Sequence, residues 1–100
     1  MKKDTYITEV IFRVDTTKDF KETVFALLPY EVEKSGSVTC YQHIGQHSSA
    51  DYYWNIQRSK PATEDEYKDL KAEMEQLGYN LKLIKQRNYN KYLTSINSLK

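Results

Sequence analysis

The chain has 100 residues, 39% apolar and 29% charged, with three glycines, two prolines and a net charge of +1. That length supports one core and a single domain over 1–100, and the apolar share is too high for a disordered chain. One cysteine excludes an internal disulfide, and no apolar run is long enough for a signal peptide or a membrane span, so a cytoplasmic, reduced protein with no membrane partner is expected.

Residues 5–14 concentrate β-branched and aromatic types and predict a first strand, ended by the polar run Asp15 to Asp19. Residues 22–32 carry the unbroken apolar run Val24-Phe25-Ala26-Leu27-Leu28, which suits a central strand buried on both faces, with Pro29 marking a bend or edge position near its end. Lys34-Ser35-Gly36-Ser37 is turn chemistry, and 38–44 alternates as a third strand. Gly45 to Asp51 reads as a loop and 52–58 as a fourth strand.

A helix over 63–77 is written at both ends. Thr63 and Glu66 form a capping box, Glu64, Asp65 and Glu66 complement the positive end of the helix dipole, and Gly78 is a stop. Tyr67, Leu70, Met74 and Leu77 fall on one stripe, while Lys68, Asp69, Glu73 and Glu75 face water. Residues 80–86 predict a fifth strand, and Tyr89, Tyr92, Leu93 and Ile96 a short terminal helix. A meander of strands one to four, followed by the helix and a fifth strand antiparallel beside the first, gives an α+β two-layer sandwich. Its connectivity is ββββαβ and its strand order 4-3-2-1-5, and one sheet face is left open.

Residues 38–56 hold the cysteine, both histidines, the tryptophan and three of the nine tyrosines. Cys40, His43, His47 and Asp51 form a C-x2-H-x3-H-x3-D series that resembles a metal tetrad. Strand alternation separates Cys40 from His43, leaving only His43, His47 and Asp51 able to converge across the loop. The same parity reads Cys40 as a core residue under the helix beside Val38 and Ile44. It places Tyr41 and His43, with Tyr53, Asn55 and Gln57, on the opposite, open face. Residues 79–100 add five basic residues and no acid.

The stretches Tyr41-Gln-His-Ile-Gly-Gln-His-Ser-Ser-Ala-Asp51, Pro61-Ala-Thr-Glu-Asp-Glu-Tyr67 and Leu77-Gly-Tyr-Asn-Leu81 resemble small proteins of bacteriophages and Bacteroides-type gut bacteria. The resemblance spans nearly the whole chain. It implies a small cytoplasmic protein of prophage origin and carries no activity.

Three readings stand side by side. In the first, a non-enzymatic binding or accessory domain uses the aromatic face and the 43–51 loop to engage a protein or single-stranded nucleic acid. Its binding residues are Tyr41, His43, Gln46, His47, Asp51, Tyr53, Asn55, Lys85 and Arg87, and a protein partner or self-association ranks ahead of nucleic acid. In the second, a small hydrolase or metal-dependent enzyme uses His43, His47 and Asp51. The third is a homodimer through the open face. The favoured reading expects no cofactor, no metal and no catalytic residue.

Overall fold

The computed structural model describes residues 7–15, 23–42 and 46–99. Strand β1 (Thr8–Asp15) and strand β2 (Thr23–Val32) pair antiparallel with Ile11 opposite Leu27, and β3 (Val38–Gln42) pairs antiparallel on the far side of β2. The apolar run of β2 puts it at the centre, as expected. Pro29 cannot donate to the ladder, and the register shifts between Leu28 and Val32, so the strand bulges where the proline falls. The turn into β3 needs Gly36 at φ +96, and its carbonyl accepts a 2.7 Å hydrogen bond from the Tyr92 hydroxyl.

The next two elements differ from the sequence reading. Residues expected as a loop form β4 (Gln46–Ala50), the edge strand beside β3. Residues expected as the fourth strand form helix α1 (Tyr52–Gln57). Asp51 explains the switch: its carboxylate accepts the backbone N–H of Trp54 at 2.8 Å, an N-cap that overrides the β preference of Tyr-Tyr-Trp.

Strand β5 (Ser59–Pro61) then pairs antiparallel with the C-terminal half of β1. Arg13 locks this join from a nearly buried position, donating to the Ser59 hydroxyl at 2.9 Å and to the carbonyls of Ser59 and Ile56 at 2.7 and 3.1 Å. The strand order is therefore 4-3-2-1-5, with β5 supplied by 59–61. The segment expected as the fifth strand forms β6 (Leu81–Leu83), which pairs parallel, rather than antiparallel, with the N-terminal half of the same β1 edge.

Helix α2 (Glu64–Gln76) has both bonds of the Thr63–Glu66 capping box, an arrangement contributing about 1 kcal/mol. It lies on the face that presents Val10, Phe12, Ala26, Leu28 and Tyr41, burying Leu70 and Met74, with Tyr67 stacked on Phe12 at 4.7 Å. Leu77, the last residue of the expected stripe, sits at the C-cap and is exposed.

The other face, expected to be open, is covered. Ile11, Phe25, Leu27, Val38 and Cys40 pack against Tyr52 and Ile56 of α1 and against Tyr92 of helix α3 (Tyr89–Asn97). The result is an α+β fold with helices on both sides of the sheet. The third strand alternates as its sequence predicts, but its two faces are exchanged: Tyr41 lies under α2, and Cys40 faces α1 and α3. No helix among the described residues is long and apolar enough to cross a membrane.

Candidate binding surface

Helix α1 turns Tyr52 into the core and leaves its neighbours outside, with Tyr53 59% and Trp54 54% exposed. The segment after β6 crosses over this helix. There the backbone N–H of Arg87 donates to the Tyr52 hydroxyl at 2.7 Å, and that of Asn88 to the Tyr30 hydroxyl at 2.8 Å. Asn88 then caps α3, accepting from the Lys91 N–H at 3.0 Å. These contacts hold the Arg87 side chain among four tyrosines. Its guanidinium carbon lies 3.8 Å from the ring centre of Tyr92, 4.0 Å from Tyr52, 5.0 Å from Tyr53 and 5.7 Å from Tyr89.

Each guanidinium–ring contact contributes about 0.5 to 1 kcal/mol at an exposed site. A second pair lies on α1, where Arg58 covers the Trp54 ring at 3.8 Å, one turn further along. Lys91 sits over Tyr30 at 4.6 Å and is ion-paired to Glu9. The exposed outer side of α1 and the 85–89 segment thus presents Tyr, Trp and Arg instead of aliphatic side chains.

The expected site residues divide. Tyr41 is fully buried, and its hydroxyl donates to Glu73, so it belongs to the core and not to an exposed patch. His43 lies outside the described residues. Gln46 and His47 belong to β4, opposite Gln42 and Tyr41, and their side chains lie outside the described structure. Asp51 is occupied as the cap of α1, and Asn55 donates to its carbonyl at 2.8 Å, so both serve the helix and neither faces a sheet surface. Tyr53 and Arg87 do meet, on a helix and a crossing segment rather than on a sheet. Lys85 lies apart from them along a cleft of about 380 Å³, which opens where β5 and β6 part beside Ile11, Phe12 and Tyr67.

Trp54, Arg58, Tyr89 and Tyr92 complete the surface and were not singled out as contact residues from the sequence. The spacing of Trp54 and Arg58, four apart, is their visible signal once 52–57 is read as a helix. Comparison with protein-family models, with characterised proteins and with solved structures finds no match. Among the described residues, no three of the His, Cys, Asp and Glu side chains come together as a metal site would require.

Cys40 sits in the core, and burial pushes its thiol from 9.0 up to about 11, with a hydrogen bond from Ser48 acting in the opposite direction. The native thiol should therefore label far more slowly at pH 7.5 than the urea-unfolded thiol, and equal rates would overturn this placement. The folded-state value lies above the unfolded one. The Cys40 contribution to stability is therefore intact below pH 9 and declines as pH rises toward 11.

Proposed function

We propose that this chain is a non-enzymatic binding domain, an accessory factor of phage origin acting in the cytoplasm, and that it engages a protein through α1 and the 85–89 segment. One observation carries this reading: four tyrosines converge on Arg87, and two of them, Tyr53 and Tyr89, keep more than half of their surface exposed. Tyrosine, tryptophan and arginine dominate the energetic centres of protein interfaces, because their rings supply large contact area at low entropic cost. The enzymatic alternative needs Asp51 free beside His43 and His47, whereas its carboxylate already caps a helix. A dimer through the open sheet face needs a surface that α1 and α3 already fill.

A photo-crosslinking amino acid at position 53 or 89 should give a discrete covalent adduct in cells, and one at Lys68, on the outer side of α2, should not. Adducts absent from 53 and 89, or equal at all three positions, would overturn the assignment. Single-stranded nucleic acid is the second reading, favoured by the exposed Trp54 ring and by the acid-free stretch 79–100. Quenching of Trp54 fluorescence by a mixed oligonucleotide, falling steeply with salt, would select it.

A further inference from the structure

We infer that Arg87 is a preorganised receptor for a carboxylate, and that the surface around it takes an acidic segment of a partner protein. This rests on the protein-binding reading above and names the chemistry of the partner. The guanidinium is held by rings alone: Tyr52 and Tyr92 lie within about 4 Å, and no carboxylate or carbonyl among the described residues accepts from it. A ring face offsets charge but does not satisfy five N–H donors in a fixed fork. No buried side-chain nitrogen or oxygen among the described residues lacks a hydrogen-bond partner. The Arg87 side-chain nitrogens, which have none, therefore each keep some accessible surface, and the residue is half-buried.

An arginine fixed against aromatic rings with unpaired, solvent-accessible donors has already lost the rotamer freedom that binding would otherwise remove. That is the arrangement that suits a bidentate carboxylate. The surroundings agree in sign. Residues 79–100 contain no acidic side chain to compete, and Tyr53 and Tyr89 flank the guanidinium with exposed rings that can cover the apolar part of an incoming Asp or Glu segment.

The test follows the Arg87 Nε–H resonance of the intact chain during titration with a blocked hexaglutamate peptide at low salt. The expected result is a saturable shift in the wild-type chain; affinities, read in both proteins from the Trp54 indole N–H in the same titration, fall about tenfold in Arg87→Lys, which keeps the charge but loses the fork. Titrations with inorganic phosphate and with a hexathymidine oligonucleotide form the other arms. A stronger response to the oligonucleotide than to the peptide overturns the proposal in favour of nucleic acid, and so does a stronger response to phosphate in favour of a phosphate group. An unshifted Arg87 signal in the wild-type chain overturns it whatever the variant does. If the peptide gives no shift while adducts still form at 53, this inference falls and the binding surface stands. If both are absent, both fall.

Discussion

Leu27→Ala and Leu28→Ala should each destabilise the protein by about 2 to 5 kcal/mol, although the two side chains point to opposite sides of β2 and lie in different clusters. Leu28 is enclosed by Phe12, Tyr41, Leu70 and Met74 beneath α2, and Leu27 by Ile11, Phe25 and Val38 beneath α1 and α3. Both are fully buried. In a sheet with one open face, one of the two substitutions would fall within about 0.5 kcal/mol of wild type. Urea unfolding of both variants, with the slope unchanged, measures the two layers separately. A silent Leu27→Ala would remove the α1 and α3 layer from this account.

Tyr41 carries the second large effect. Tyr41→Ala should cost about 3 to 5 kcal/mol, as expected for loss of a buried ring. Tyr41→Phe should cost about 1 to 3 kcal/mol, because the hydrogen bond from the buried hydroxyl to the Glu73 carboxylate is lost while the ring packing is retained. Thermal unfolding separates the two contributions. A Tyr41→Ala protein as stable as wild type would return this residue to the surface.

That pair also marks where sequence reasoning stops. Val38, Cys40 and Tyr41 announce their alternation, since period two is a local property of a strand. Which face lies under α2 depends on how a segment thirty residues away docks, and no local pattern encodes that. The helix at 64–76 is legible because its cap Thr63, its acidic first turn and its stop Gly78 are all local signals in or directly beside it. The central strand was legible from its unbroken apolar run. Residues 52–57 look like a strand because aromatic, β-prone types fill a helix that Asp51 caps and that turns Tyr52 and, in part, Ile56, four apart, toward the sheet. Of the candidate surface, Tyr53 and Arg87 are visible as residue types, whereas their meeting depends on the crossing of the 85–89 segment over α1.

The outer edge of β1 is completed from the far end of the chain, with Thr8 opposite Leu81. Strands β1 to β4 pair with sequence neighbours and can form while later residues are still being synthesised, whereas β6 and α3 close the longest loop and bear its entropic cost. The tyrosines of α1 meet Arg87 only after that closure. If the Thr8–Leu81 pairing opens, the ladders joining β1 to β4 are untouched while Tyr53 and Arg87 are free to part, so the proposed surface depends on a pairing that spans most of the chain.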